Sequence, residues 1–477
     1  MSERIRTDLC VIGAGSGGLS VAAGAAQMGA GVVLIEKGKM GGDCLNYGCV
    51  PSKSLIAAAR AAETMRGGGR YGVGAGASPE VNFRALHEHV HGVIAGIAPH
   101  DSVERFESLG VRVIRAAARF TGPAEAEAGG VTVCARRFVV ATGSSPAIPP
   151  IAGLAEVPYL TNETIFDLRQ APEHLIVIGG GPIGSELAQA HRRLGVRVTQ
   201  IARGRLLPKD DGELVEVVRR RLLADDVALL EGAATKAVET DGGGGIRVIA
   251  ERAGESLSIT GSHLLVAAGR AANVEGLGLD AAGVTYTERG ISVDARLRTT
   301  NRRIFAIGDV TGRQQFTHVA GYHAGIVIRN ALFLLPAKVA DGAVPWVTYT
   351  DPELAHVGLS EAAARERFGD TVTALRWPFA ENDRARTERE TEGLVKVVLG
   401  RGGRILGASI AGAGAGDQLA LWCLAVSKKM KIGAVAGLIL PYPTRGEAGK
   451  RAAGEYYTAK LFSERTRAIV RLLQRLP

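Results

Sequence analysis

DLCVIGAGSGGLSVAAGAAQMGAGVVLIEK, residues Asp8 to Lys37, and HLIVIGGGPIGSELAQAHRRLGVRVTQIAR, residues His174 to Arg203, follow one pattern about 166 positions apart. Each passes from an apolar strand through a glycine turn into a helix, then through a Gly into a second apolar strand. That is a βαβ unit of roughly 30 residues. In the first copy Gly13, Gly15 and Gly18 allow a tight turn, close approach of a pyrophosphate and close helix–strand contact, while the helix N-terminus offers N–H donors and a positive dipole end. Glu36 closes the second strand, 23 positions after Gly13, where a carboxylate accepts hydrogen bonds from an adenosine ribose. The second copy repeats the glycines as Gly179, Gly181 and Gly184, but its second strand ends Gln200-Ile201-Ala202-Arg203. The acid is missing, and Arg203, with Arg205 close behind, suits a ribose 2′-phosphate. NADPH is therefore the expected donor and NADH the alternative; the bland reading of Arg203 is a solvated surface side chain.

Around these units the chain has 477 residues, 46% hydrophobic and 22% charged. Such a composition builds several packed domains and excludes bulk disorder. The 64 glycines show no Gly-X-Y period, so the chain is not collagen-like. The net charge of +9 comes without a run of five like charges, and nothing calls for a nucleic-acid partner. The charge is uneven: from Arg445 onward eight Lys or Arg stand against three Glu. Cys10, Cys44, Cys49, Cys134 and Cys423 are too few for a disulfide framework, which suggests a reducing compartment. No leader or spanning segment is read, and the expected location is cytoplasmic.

Further apolar runs end in small-residue turns at Phe138–Pro146 (FVVATGSSP) and Leu264–Asn273 (LLVAAGRAAN), and NRRIFAIGDV sets Asp309 just after a buried strand. Loops are expected at Arg66–Ser78, Pro146–Pro150 and Asp241–Gly245. After about Asp341, strand-like runs (VPWVTYT, LVKVVLG, RILGASIAG) alternate with helical patterns. The expected fold class is α/β: two Rossmann-like nucleotide-binding domains and a C-terminal α+β domain. The expected boundaries are 1–150 and 271–340 for the two parts of the first nucleotide domain, 151–270 for the second domain and 341–477 for the last.

The stretch Gly41-Gly42-Asp43-Cys44-Leu45-Asn46-Tyr47-Gly48-Cys49-Val50-Pro51-Ser52-Lys53 sets two thiols five apart at the start of a helix. They can bridge if the first turn is irregular, and Gly48 and Pro51 supply that irregularity. A helix N-terminus and Lys53 both favour thiolate. A zinc site would need two further ligands, and no Cys or His is near enough in sequence to supply them, so no metal site is expected here. Two buried unpaired thiols are the other alternative.

These motifs, with ATGSSP, GGGPIGSE, AAGR, IFAIGD and YTDPELAHVGLSE in the same order, resemble the class I pyridine nucleotide–disulfide oxidoreductases, which include dihydrolipoamide dehydrogenase, glutathione reductase and mercuric reductase. The resemblance spans essentially the whole chain. It implies FAD bound by the first domain and NAD(P)H by the second. Cys49 would be the thiol beside the flavin and Cys44 the interchange thiol facing substrate. Lys53 would lie near the flavin and pair with Glu186. Asp309 would hold the ribityl chain, Gly42 and Gly143 would line the FAD site, and Gly269 the nucleotide sites. Electrons would pass from NADPH through flavin to the Cys44–Cys49 disulfide and then to an acceptor.

The family's disulfide reductases carry a His-Pro-Thr near the C-terminus with a Glu five residues after the His, contributed to the partner subunit's cysteines. This chain reads Pro441-Tyr442-Pro443-Thr444-Arg445-Gly446-Glu447. Tyr442 replaces the His while Glu447 remains, and a phenol near pKa 10 is a poor base at neutral pH. The resemblance thus implies a homodimer sharing its site, with Tyr442 and Glu447 opposite the other subunit's cysteines. Mercuric reductases also carry Tyr there, yet they have a C-terminal vicinal Cys pair, and no Cys follows Cys423 here. Three readings stay open: a reductase of a small disulfide or thiol-bound metal ion such as Hg(II), a dihydrolipoamide dehydrogenase, or a flavoprotein that senses or docks with little turnover.

Weaker signals complete the reading. His318 and His323 lie on an apolar helical pattern, near the flavin by position, and are expected to pack or to touch the flavin edge without acid–base work. Cys10, Cys134 and Cys423 are expected to be inert. Asn382-Asp383-Arg384 is either a solvated cluster or a substrate contact. The tail sets Ile469, Leu472, Leu473 and Leu476 on one helical face, with Arg467, Arg471 and Arg475 elsewhere. That stripe is expected to pack on its own protein at the dimer interface rather than on a membrane.

Overall fold

The computed structural model describes residues 3–74 and 79–476. They form two compact units: the first comprises residues 1–203 and 230–340, the second 204–229 and 341–477.

In the first unit β1 (Glu3–Ile12), α1 (Ser16–Gln27) and β2 (Val32–Ile35) make the first βαβ unit. The two strands run parallel, with Leu9 opposite Val32 and Ile12 opposite Ile35. The chain continues through α2 (Gly42–Asn46), α3 (Cys49–Gly67), α4 (Phe83–Ile97) and α5 (Val103–Ser108). The helix α3 runs two residues into the expected Arg66–Ser78 loop, a 3₁₀ turn (Gly68–Tyr71) follows, and residues 75–78 of that loop lie outside those described. Strands β3 (Val111–Ile114), β4 (Ala118–Gly122), β5 (Glu125–Ala128) and β6 (Val131–Val140) complete a sheet of order β3-β2-β1-β6-β5-β4, and strand Ile304–Ala306 pairs with β6. Strands β1 to β3, β6 and Ile304–Ala306 are parallel. Within them Leu9–Ile12, Val32–Ile35, Phe138–Val140 and Ile304–Ala306 are continuous buried apolar runs, as expected where both faces of a parallel sheet are covered.

After β7 (Ser144–Pro146) the second βαβ unit appears as β8 (His174–Ile178), α6 (Pro182–Arg193) and β9 (Arg197–Ala202). The chain then leaves for α7 (Gly212–Ala224), which belongs to the second unit. It returns through β10 (Ala228–Glu231) to an antiparallel sheet of β11 (Ala233–Thr240), β12 (Ile246–Arg252) and β13 (Glu255–Gly261). The β11–β12 turn is the expected Asp241–Gly245 loop, where the Asp241 carboxylate accepts from the N–H groups of Gly243 and Gly245 at 2.8 Å. Strand β14 (His263–Val266) lies parallel to β8, and β15 (Arg270–Ala272) pairs with β7. Helix α8 (Thr317–Ala331) packs on α1.

The second unit is built on a five-stranded antiparallel sheet whose order is Pro345–Thr348, Glu353–Gly358, Arg404–Gly412, Leu394–Gly400, Thr373–Pro378. Its core gathers Phe379, Val395, Val397, Ile410, Leu419 and Trp422. The α/β class with a C-terminal α+β part is as expected. In the tail helix Glu464–Leu473 no residue is buried within one chain, and Leu472 and Leu473 are 64% and 55% exposed. A face expected to pack is therefore left open by its own chain. Among the described residues no helix is long and apolar enough to cross a membrane.

Candidate functional site

The two glycine turns have matching geometry. Gly13 (φ +104°) and Gly179 (φ +139°) each take a conformation L side chains rarely adopt, and a Cβ there would fall 2.4 Å from Ala141 O and 2.2 Å from Ala267 O. The middle glycines face open space instead: a Cβ on Gly15 meets nothing nearer than 4.0 Å, and one on Gly181 nothing within 4 Å. A dinucleotide pyrophosphate needs such a bare cradle at a helix N-terminus. Gly18 and Gly184 lie tight against the carbonyls of Gly13 and Gly179. Glu36 sits just past β2, and its two carboxylate oxygens accept from Ala14 N and Gly38 N, both at 2.6 Å. In the second copy Gln200 fills the strand interior, donating to Gly179 O at 2.9 Å, and Arg203 is exposed beyond it. Arg205 turns away to Pro208 O and Asp210 O, both 2.7 Å. The arrangement thus fits two dinucleotides, with Arg203 the only basic side chain of the pair not committed to the Arg205 turn.

The thiol pair sits across a helix break. Cys44 lies in α2 and Cys49 opens α3, with Gly48 between them at φ −118°, ψ −111°. A Cβ on Gly48 would meet Asp43 Oδ2 at 2.8 Å and Asp43 O at 3.1 Å, so a side chain there would crowd the break. Both sulfurs are free thiols here, Cys44 partly buried and Cys49 exposed. Cys49 is pulled down to about 6, first by the hydrogen bond from Cys44, then against burial by Thr317 and the positive charge of Lys53. The same hydrogen bond pushes the Cys44 thiol upward. One proton is therefore shared by the pair and rests on Cys44. Thr317, at the start of α8, places its hydroxyl 3.6 Å from Cys49 Sγ.

One turn into α3, Lys53 reaches across to α6. Its Nζ lies 2.6 Å from Glu186 Oε2. Glu186 is buried and Lys53 half-buried, so the pair is charge-assisted and partly shielded from water.

A second network ties the loop before Cys44 to Asp309. Arg270 Nη2 lies 3.0 Å from Asp43 Oδ1. Its Nε donates to Ser144 Oγ and its Nη2 to Ser144 O, both at 2.7 Å. Ser144 Oγ in turn donates to Asp309 Oδ2 at 2.6 Å. Burial raises the Asp309 pKa, and the Ser144 hydrogen bond opposes the rise. Asn162 donates to Asp43 Oδ1 at 3.2 Å and to Tyr47 O at 3.1 Å, closing the loop from the other side. The sequence did not single out Asp43, Ser144, Asn162, Arg270 or Thr317. Arg270 follows Gly269 in AAGR and Thr317 precedes His318, but neither had a local signal of its partner.

Other expected residues take structural positions. Buried His323 accepts from Gly308 N at 3.2 Å and so holds the turn that carries Asp309. His318 stacks on Phe316. Cys10 is fully buried in β1, where burial pushes its thiol up. Gly42, Gly143 and Gly269 all have positive φ in the loops next to the two glycine turns.

In the second unit Tyr442 is 70% exposed, and its hydroxyl donates to Asp383 Oδ2 at 3.1 Å. That hydrogen bond and the Asp383 charge raise the phenol's pKa further. Glu447 starts the helix Glu447–Leu461, its carboxylate 3.4 Å from Thr444 N. Asn382 caps a short helix through Ala385 N (3.0 Å) and donates to Thr444 O at 3.1 Å. Of the two readings of the Asn382-Asp383-Arg384 cluster, Asn382 therefore serves the fold.

Residues 7–324 match the pyridine nucleotide-disulphide oxidoreductase family, and residues 344–453 match its dimerisation domain. The chain is 37% identical to a mercuric reductase of Streptomyces lividans over 94% of this chain and 95% of the relative. It is also 37% identical to a dihydrolipoyl dehydrogenase of Thermus scotoductus, over 94% and 96%. Among solved structures, LpdA from Mycobacterium tuberculosis superposes with a TM-score of 0.85 at 27% identity, covering 94% of this chain and 99% of that one. The HOCl-induced flavoprotein disulfide reductase RclA from Escherichia coli gives 0.83 at 25% identity, over 94% and 99%.

Proposed function

The chain belongs to the pyridine nucleotide-disulphide oxidoreductases, and on that premise we propose that it is an NADPH-preferring reductase whose Cys44–Cys49 pair serves a small disulfide or a thiol-bound soft metal ion of the Hg(II) class. Family members are FAD-dependent and draw on NAD(P)H, so the chain is an oxidoreductase acting on a sulfur group or a metal ion. Bound FAD supplies the two-electron chemistry that links the nicotinamide to the thiol pair.

The observation that carries the reading is the placement of Cys44 and Cys49 across the Gly48 break, with Cys49 Sγ 3.6 Å from the Thr317 hydroxyl and the Lys53–Glu186 pair at 2.6 Å one turn on. In this reading Cys49 would be the thiolate beside the flavin, and Cys44 the thiol offered to the acceptor. Against a disulfide, the proton passes from Cys44 to Cys49, the Cys44 thiolate attacks one acceptor sulfur, and the expelled thiolate takes the proton from Cys49. Cys49 thiolate then attacks Cys44 sulfur, closes the disulfide and expels the second thiolate. Two thiols are oxidised and one acceptor disulfide is reduced, so the electrons balance.

Gly13, Gly15, Gly18, Glu36, Gly42, Gly143 and Asp309 hold FAD in this reading, and Gly179, Gly181, Gly184, Gly269 and Arg203 hold NADPH. In this reading residues 1–150 and 271–340 form the FAD domain, 151–270 the NADPH domain and 341–477 the dimerisation domain. The match to the dimerisation domain supports a homodimer, in which Tyr442 and Glu447 face the other subunit's cysteines. Five cysteines, too few for a disulfide framework, suit a reducing cytoplasm. The alternative of a dihydrolipoamide dehydrogenase is favoured by an equal identity to such an enzyme, and opposed by Tyr442, whose raised pKa leaves no base near neutral pH.

The test compares purified holoenzyme in two assays: NADPH oxidation with thiol-complexed Hg(II) or small disulfides, and NAD reduction with dihydrolipoamide. The proposal expects the first to dominate and to vanish in Cys44→Ser. A dominant second assay would replace it with the dehydrogenase reading.

A further inference from the structure

Helix α4 carries the run His87-Glu88-His89-Val90-His91. Four residues apart, His87 and His91 stand on one face, one turn above the other. Their ring centroids are 4.0 Å apart. The single helical turn Ile165–Asp167 brings a carboxylate to the same place. Asp167 Oδ1 lies 3.3 Å from His91 Nε2, and one ligand atom from each of the three residues falls within 4.8 Å of the others. A tetrahedral ion with bonds of ~2.0–2.1 Å sets its ligand atoms about 3.3 Å apart. The His91–Asp167 spacing already matches that edge, and rotation of the half-buried His87 ring closes the third side.

The surroundings suit a neutral imidazole pair. Burial and His91 lower the His87 pKa. His87 lines a small cavity whose other walls are apolar (Leu86, Val90, Ile165 and Phe166 among them) apart from His191, while Asp167 is exposed and leaves a way in from solvent. The charged neighbours divide: Glu88 and Asp167 favour a cation and Arg169 opposes it. His91 Nε2 also lies 3.3 Å from Phe166 O. A simple packing role needs one imidazole against that turn. It does not account for the second imidazole laid against the first with a carboxylate at ligand spacing.

We propose that His87, His91 and Asp167 form a binding site for one divalent transition ion of the imidazole-preferring class, zinc(II), nickel(II) or copper(II), with water in the remaining position. Two nitrogens and one oxygen suit these ions, whereas calcium and magnesium ask for oxygen alone. The site uses no residue of the thiol pair, and it would clamp the Ile165–Asp167 turn to α4.

The test is calorimetric titration of Zn(II) alone into untagged FAD holoenzyme in a Cys44→Ser, Cys49→Ser background, so that no active-site thiol competes. One equivalent should bind per chain and raise the melting temperature. His87→Ala and His91→Ala should each weaken binding by at least about tenfold, as loss of a ligand contact does. His89→Ala, on the other face, should bind as the parent does. If His87→Ala melts in the absence of zinc, His87→Gln serves instead. Absence of binding at millimolar Zn(II), or equal affinity in the parent and the His91→Ala variant, overturns the proposal.

Discussion

Lys53 Nζ and Glu186 Oε2 meet at 2.6 Å, although the two residues come from different βαβ neighbourhoods and stand 133 positions apart. The contact fixes the first turn of α3, and with it the lysine charge that helps hold Cys49 as thiolate. Glu186→Gln keeps the shape and removes the charge. Because Lys53 remains about a third exposed, the loss should lie near the low end for a charge-assisted hydrogen bond, about 1.5 kcal/mol. Thermal unfolding of the holoenzyme should show a lower midpoint, and stopped-flow reduction by NADPH should slow. An unchanged rate would separate the ion pair from the chemistry.

The proton shared between Cys44 and Cys49 has a direct signature. The hydrogen bond from Cys44 is the largest cause of the low Cys49 pKa, which stands at about 6. A thiol whose pKa is lowered becomes thiolate on the alkaline side of that value. In Cys44→Ala the donor is gone, so the titration of Cys49, followed by thiolate absorbance, should move to higher pH. A midpoint that stays near 6 would assign the lowered pKa to Lys53 and the helix terminus instead.

Arg203 stands exposed one residue beyond Ala202, which takes the place that Glu36 has in the first copy. Arg203→Glu should shift the ratio of kcat/KM for NADPH over NADH toward NADH by roughly tenfold, about 1.4 kcal/mol. Steady-state kinetics with both donors measures it. An unmoved ratio would return Arg203 to the bland reading of a solvated side chain.

Tyr442 donates to Asp383 at 3.1 Å, and that partner raises its pKa. A histidine there would be poised near neutral pH. Tyr442→His should therefore increase dihydrolipoamide oxidation by about 10²–10⁴-fold, the usual worth of a positioned acid–base group. Equal rates in both proteins would remove the argument against lipoamide.

What the sequence showed and what it hid follow the range of the signals. Gly13, Gly15, Gly18 and their counterparts at 179, 181 and 184 are local patterns, set by backbone approach within one turn. Cys44, Gly48 and Cys49 lie in one short stretch, so the helix break was readable from Gly48 and Pro51. Thr317 approaches Cys49 across 268 positions, and Arg270 reaches Asp43 through a strand pairing, β7 with β15, that no local period announces. His87 and His91 carried a readable i, i+4 spacing, but Asp167, brought in by a turn 76 residues beyond His91, gave it meaning only in three dimensions. The exposed stripe Ile469–Leu473 shows the opposite case, a helical period that fixes a face without fixing what covers it.

Anaerobic titration of the holoenzyme with NADPH, followed in the visible spectrum, tests the central claim that electrons pass through Cys44 and Cys49. A long-wavelength thiolate–flavin charge-transfer band should grow in the wild type and be absent in Cys49→Ser. Direct bleaching of the flavin in the wild type, with no such band, would contradict the account and mean that the thiol pair is bypassed.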